Sequence, residues 1–237
     1  MPRAARIVIP GCPHHITQRA RREPCRTGNN RQDVFFVDDD RRAYLEILRE
    51  QADRFGLPVT GYCLMTNHVH LIATPAGPES LAKAVGRTHW LYTQYVNRLH
   101  GRSGHLWQNR FYSCALDEDH FWKAMAYVEP NPVRARLVRR PWRWAWSSAA
   151  AHCGEADKTG LLDLDAWQDL LAGADWREVL GEPLDEADVA RLRRATSRGR
   201  PLGSDRFIAK LERALGRRLR PLPVGRPRKR KPTGGSK

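Results

Sequence analysis

The sequence has no apolar run approaching the ~20 residues that span a bilayer, and its first residues, MPRAARIVIPGC, lack the h-region of a secretory signal. A membrane span and a leader are therefore not expected. Cysteine is scarce, and none of the five (Cys12, Cys25, Cys63, Cys114, Cys153) stands in a C-x-x-C pair. That spacing gives neither a zinc knuckle nor a disulfide framework, so reduced structural thiols are expected. Acid is in short supply at both ends. Residues 1–150 hold 22 Lys/Arg against 13 Asp/Glu, residues 191–237 hold 17 against 2, and only residues 151–190 reverse the sign with 2 against 11. Two basic blocks thus flank an acidic spacer, for a formal net charge of +15. An excess of this size attracts a polyanion through counterion release. Without a membrane signal that polyanion is nucleic acid, and the expected location is the cytoplasm, on the nucleoid. The plainer reading of charge alone is a ribosome-associated or merely sticky basic protein.

A chain of 237 residues suits one core of roughly 130–150 residues with a smaller appendage. The expected division is a main domain over 1–152, an acidic linker or helical bridge over 153–185, a small helical region over 186–222, and a disordered basic tail over 223–237. Within the main domain, HHITQ (His14 to Gln18) alternates as a strand. Asp38 to Phe55 carries Tyr44, Leu45, Leu48, Ala52 and Phe55 at helical spacing after an acidic start. Val59 to Leu64 and His68 to Thr74 read as a hairpin, Ser80 to Leu99 as a second helix, Leu106 to Leu116 as a fourth strand, and a third helix starts near Asp117. This order predicts an α+β, ferredoxin-like antiparallel sheet with helices on one face. Beyond the acidic stretch, Glu186 to Thr196 and Ser204 to Arg218 read as two short helices around SRGRPLG, a weak helix-turn-helix signal.

In NHVHLI, His68 and His70 lie two apart, so on a strand both imidazoles project from one face. Two neutral imidazoles begin a divalent-metal site that leaves positions open for substrate oxygens. The same pattern also fits two surface histidines. On the third helix Phe121, Ala124, Met125 and Val128 form an apolar stripe. Tyr127 lies roughly 110° from its centre at ~100° per residue, and so does not read as a core tyrosine. Asn131 would share its face if the helix continued. Pro130 and Pro132, however, favour an end or kink, which leaves Tyr127 as a packing residue and Asn131 as a terminator as the alternative.

Taken together, NHVHLI, GHLWQNRFYS and AYVEPNPVRARLV resemble the single-tyrosine HUH transposases of the insertion-sequence type, most closely their REP-associated branch. PGCPHHITQR, GNNRQDVFF and GRPLGSDRFIAKLERALGRRL extend the likeness over nearly the whole chain. The resemblance implies His68 and His70 as the metal-binding pair, Asn131 as a third ligand, Mg²⁺ or Mn²⁺ as cofactor, and Tyr127 as nucleophile. It implies attack on a DNA phosphate to give a 5′-phosphotyrosine and a 3′-hydroxyl, an exchange that another 3′-hydroxyl can reverse without ATP. Single-stranded and hairpin DNA are the implied partners, with a monomer or homodimer as the working form. Arg110, Arg134, Arg198, Arg200, Arg226, Arg228, Lys229 and Arg230 are the basic positions expected to contact DNA. Trp90, Trp107, Trp122, Trp142 and Trp144 could stack on bases. Arg198 to Pro201 and Gly225 to Pro227 resemble AT-hook cores, against a simpler reading as unspecific phosphate attraction. The chain departs from the family pattern at Ala20 to Thr27, which intervenes after the first strand, and at Pro130. Two rivals remain: a DNA-binding or repressor protein of the same fold without chemistry, and a metal hydrolase using water in place of Tyr127.

Overall fold

The computed structural model describes residues 6–20 and 33–220. Strands β1 (His14–Arg19), β2 (Val59–Met65), β3 (His68–Ala73) and β4 (Tyr112–Ala115) form one antiparallel sheet in the order β2-β3-β1-β4. With helices α1 (Asp38–Phe55) and α2 (Ser80–Leu99) between the strands, this is the expected ferredoxin-like α+β arrangement. Strand β4 is shorter than the aromatic run suggests: Trp107 makes only an isolated bridge to Ala20. From Arg21 onward the Ala20 to Thr27 stretch lies outside the described residues.

Local chemistry sets the ends of α1. The Asp40 carboxylate accepts the Phe36 and Val37 N–H groups at 2.7 and 3.0 Å, and Gly56, at φ 60°, closes the helix while Leu57 N–H reaches Ala52 O at 2.9 Å. Helices α1 and α2 cover one face of the sheet. There Ile16, Tyr62, Leu64, Val69 and Leu71 meet Tyr44, Leu48, Leu81, Val85 and Tyr92 in a closed apolar core.

The opposite face is covered as well. Helix α3 (Glu118–Val128) packs there on Cys63, Ile72 and Cys114. A Cβ on Gly61 would sit 2.6 Å from Met125 Cε, so a larger residue there would make the Met125 side chain of α3 move. After α3 come the one-turn helices α4 (Asn131–Arg134) and α5 (Ala149–His152). The acidic stretch follows as a helical bridge, α6 (Leu164–Leu171) and α7 (Trp176–Gly181), whose Trp167 and Trp176 are buried in this second core. Their neighbour Glu129 is fully buried and accepts from Ser148 Oγ at 2.5 Å, His152 Nδ1 at 2.6 Å and Trp176 Nε1 at 2.7 Å. A carboxylate with three donors in one pocket ties the end of α3 to the bridge.

Helix α8 (Glu186–Arg198) completes that layer, with Val189 and Leu192 in the second core, and α9 (Asp205–Leu215) follows. The turn between them belongs to the sheet's end: Leu202 N–H bonds Ala115 O at 2.8 Å, and Ser204 N–H donates to the Asp117 carboxylate at 2.7 Å. Asp117 also caps α3 through His120 N–H at 3.1 Å. Helix α8 and the turn are therefore docked on the main sheet, so the pair does not stand out as a free helix-turn-helix. No described helix is long and apolar enough to cross a membrane.

Candidate active site

The register decides what shares a face. Along β3, His68, His70 and Ile72 point toward α3, while Val69 and Leu71 enter the other core. His70 lies opposite Cys63 on β2 and Thr17 on β1, and His15 lies opposite Cys114 on β4. His15 therefore reaches the histidine pair from the neighbouring strand. Its Nε2 is 2.9 Å from His70 Nδ1, with the rings stacked 5.2 Å apart, and its Nδ1 is 2.8 Å from Thr196 Oγ1 on α8. Thr196 in turn meets Cys114 Sγ at 3.2 Å.

This chain has a direction. Burial pushes His15 down to about 3, and burial first, then the charges of His68, His15, Arg19 and Arg134, hold His70 well below the ordinary histidine range. Both are neutral at neutral pH, so one proton is shared across each His–His and His–Thr contact. His70 Nε2 is buried and has no hydrogen-bond partner. A neutral imidazole whose Nδ1 is engaged by His15 and whose Nε2 is unpaired is a suitable metal ligand. His68 Nδ1 is 2.7 Å from Asn67 Oδ1, and its ring stands edge-on to His70 at 5.1 Å. Among the described residues no group of three or more His, Cys, Asp or Glu side chains is placed to hold a metal.

Tyr127 sits over this pair, its ring edge-on to His70 at 5.6 Å and to His15 at 5.9 Å. The off-stripe position would leave it half-exposed on an isolated α3, but it is 3% exposed. Helix α8 covers it: Arg193 Nε donates to the Tyr127 hydroxyl at 3.2 Å, and the Arg193 and Arg134 guanidiniums lie 5.5 and 4.5 Å from the ring centre. A single helix wheel cannot see a cover that comes from 66 residues further along the chain.

Pro130 does break the helix. Helix α3 ends at Val128, and α4 begins at Asn131. The carbonyls left over at this break are taken by side chains, as helix ends require. Asn131 Nδ2 donates to Tyr127 O at 3.1 Å and Val128 O at 3.0 Å, and Arg134 donates to Tyr127 O as well. Asn131 is thus held by its amide nitrogen at the end of the helix that carries the tyrosine. Arg134, expected to contact DNA, is committed to Tyr127.

Arg110, Arg198 and Arg200 come together beside β4, lining one cleft. Arg198 to Pro201 is not an extended minor-groove hook: Gly199 caps α8 at φ 62°, and Arg200 bonds the Leu219 carbonyl. Arg226, Arg228, Lys229, Arg230 and the second hook-like motif lie outside the described residues. Of the five tryptophans suggested for stacking, Trp107 is buried in the first core, Trp122, Trp142 and Trp144 pack against the second, and Trp90 is 53% exposed. Residues the sequence reading missed are His15, Thr196 and Arg193. The strand alternation around His15 was visible, but which face it joined depends on its pairing with β3.

Residues 26–131 match the model of the family described as "Transposase IS200 like". The resemblance read from the sequence holds over that segment, which contains His68, His70, Tyr127 and Asn131. Among solved structures, a REP-associated tyrosine transposase bound to a REP hairpin superposes with a TM-score of 0.54 at 17% identity, over 70% of this chain and 90% of that one. At that identity the superposition speaks for the fold. No curated protein sequence matches the chain.

Proposed function

We propose that this protein is a single-stranded DNA endonuclease and strand transferase, dependent on Mg²⁺ or Mn²⁺, that acts on hairpin-containing DNA through Tyr127. The observation that supports it most is the convergence of Tyr127, His70 and His15 within 6 Å, ring centre to ring centre, on the sheet face that carries His68. The hairpin of the superposed transposase, the family match and the basic surface favour the same substrate.

His68 and His70 would hold the ion, with the Asn131 amide oxygen as a third donor. When bound, it would polarise the scissile phosphate and stabilise charge on its non-bridging oxygens. The protein's own groups do the rest. His15 keeps His70 in the tautomer with Nε2 unprotonated, and Thr196 does the same for His15. The Tyr127 oxygen forms a bond to phosphorus while the bond from phosphorus to the 3′ oxygen breaks, and the leaving 3′-hydroxyl carries the proton balance of the phenol. Arg193 places positive charge beside the oxygen at which that link forms and later breaks, and Arg134 places it over the ring. Because the phosphoester is conserved in the link, another 3′-hydroxyl can reverse the step and join new ends.

A second reading, a binding protein of the same fold without turnover, is favoured by one observation: Tyr127 lies under α8. The deciding assay incubates hairpin DNA bearing an unpaired tail with the protein and Mn²⁺ and looks for a denaturation-resistant adduct. The transferase reading expects an adduct that Tyr127→Phe abolishes and that chelation prevents. Binding without any adduct over a varied hairpin panel would instead establish the second reading. Cleavage that survives Tyr127→Phe but not His68→Ala would point to water as the nucleophile.

A further inference from the structure

Beside the outer strand lies a cleft of about 470 Å³, formed where the loop before β4, the end of α8 and the turn after α9 meet. Arg6, Arg110, Arg198, Arg200, Arg217 and Arg218 line it, and among the described residues no Asp or Glu does. This is a built feature. The Arg6 guanidinium lies 3.6 Å from the centre of the buried Phe111 ring and donates to Phe111 O at 3.0 Å. Arg200 donates to the Leu219 carbonyl, while Glu212 holds the Leu219 N–H at 2.7 Å from the far side, so the cleft's walls brace one another. Burial first, then the charge of Arg110, pull Arg6 down to about 10. Such a concentration of guanidiniums is matched by several anionic oxygens on one ligand.

The cleft also has an aromatic wall. Tyr112 is 39% exposed on the edge strand. Bases inside a duplex are stacked on each other and closed to such a ring, whereas unpaired bases stack on it readily. Position strengthens the case. Tyr112 is opposite Thr17, and Thr17 is opposite His70, so the three form one row across the sheet. Alternation along β4 puts Tyr112 on the face of Cys114, the same face as the histidine pair. Two strand spacings amount to about 10 Å, a distance that a short length of unpaired strand covers.

We propose that this cleft seats the unpaired strand adjoining the phosphate that Tyr127 attacks, its arginines gripping successive phosphates and Tyr112 stacking on a base. The identity of that phosphate rests on the function proposed above; the single-strand preference of the cleft does not.

The test measures binding by fluorescence anisotropy with the full chain and three probes: a blunt hairpin, the same hairpin with an unpaired tail, and an unstructured oligonucleotide. Arg198→Ala/Arg217→Ala should weaken the tailed and unstructured probes about ten-fold or more while leaving the blunt hairpin within about two-fold. The salt slope for the tail should fall by about 1.4 for two lost contacts to a single strand. Tyr112→Ala should weaken the tailed probe at least about five-fold, and Tyr112→Phe should restore it. Equal weakening on blunt and tailed hairpins, or no weakening on either, overturns the proposal. Adduct formation is scored on the same preparations. Loss of tail binding in the variants with no adduct from any protein would keep the cleft and reject the transferase, whereas an adduct with unaltered tail binding would do the reverse.

Discussion

The two faces of the four-stranded sheet come from the same residues in alternation, yet they are built for different ends. Under α1 and α2 the strands present Ile16, Tyr62, Leu64, Val69 and Leu71 to an apolar core. Under α3 and α8 they present His15, Cys63, His68, His70 and Cys114, with Tyr127 pressed onto the histidines. Burial on the first face adds directly to stability. Burial on the second holds two imidazoles neutral, leaves His70 Nε2 without a partner, and brings guanidiniums onto a phenol. The first two cost free energy that packing elsewhere, the guanidinium contacts on Tyr127 included, must offset. Among the described residues, buried polar atoms without a hydrogen-bond partner occur on both sides of the sheet, Gln51 Oε1 on α1 among them, but His70 Nε2 is the one that stands beside a second strand histidine and Tyr127.

Neighbouring residues on β3 give the sharpest break between the faces. Leu71→Ala should cost about 2–5 kcal/mol of unfolding free energy in denaturant titrations, the range for a fully buried leucine. The fraction still folded should bind Mn²⁺ with unchanged affinity; a matching loss of affinity would mean that the faces are not separable. The converse substitution is His15→Ala. It should weaken Mn²⁺ binding about 10- to 100-fold by calorimetry, the usual effect of losing a group that orients a ligand. His15→Gln, whose amide can still accept from His70, should recover part of it. If His15→Ala lowered stability but not affinity, the His15–His70 contact would be packing alone.

Acid should act through the buried histidines. His15 is pushed down to about 3, His89 to about 3 and His14 to about 4, in each case chiefly by burial, and His70 is lowered too. Their unfolded values stand near 6.5. Above that pH both states are neutral and nothing is lost. Below it the unfolded chain takes up protons that the native one refuses, so stability falls as pH drops from about 6.5 toward 4, by up to about 1.4 kcal/mol per unit for each histidine. Thermal melts from pH 7.5 to 4.5 would read this. Added Mn²⁺ should shift the acid midpoint downward through His70, whereas a shift retained in His70→Ala would place the ion elsewhere. The smallest expected effect is at the cover. Arg193→Gln removes the hydrogen bond to Tyr127 and should cost about 1 kcal/mol, seen as faster amide exchange confined to α8.

Much of this was legible in the sequence. Helices α1 and α2 fall at the expected boundaries because their apolar residues recur at 3.6-residue spacing between strong stops, Gly56-Leu57-Pro58 for one and His100-Gly101 for the other. The hairpin carrying His68 and His70, and the helix carrying Tyr127, were equally plain. Local pattern did not reveal the second covered face, since it is assembled from Trp167, Trp176, Val189 and Leu192, all far from the strands they cover. Nor did it reveal the break at Pro130 as a fixture, in which Asn131 and Arg134 satisfy the freed carbonyls.

The sequence by itself determined the order of strands and long helices in the main domain, the same-face histidine pair and the basic character of the chain. These are consequences of periodicity, turn residues and charge, which act over a few residues. Only the tertiary structure decided that His15 joins His70, that α8 lies over Tyr127, and that arginines from positions 6, 110, 198, 200, 217 and 218 meet at one edge. Strand register and helix docking set those meetings. They are fixed by which surfaces bury together, and no short stretch of sequence carries that information.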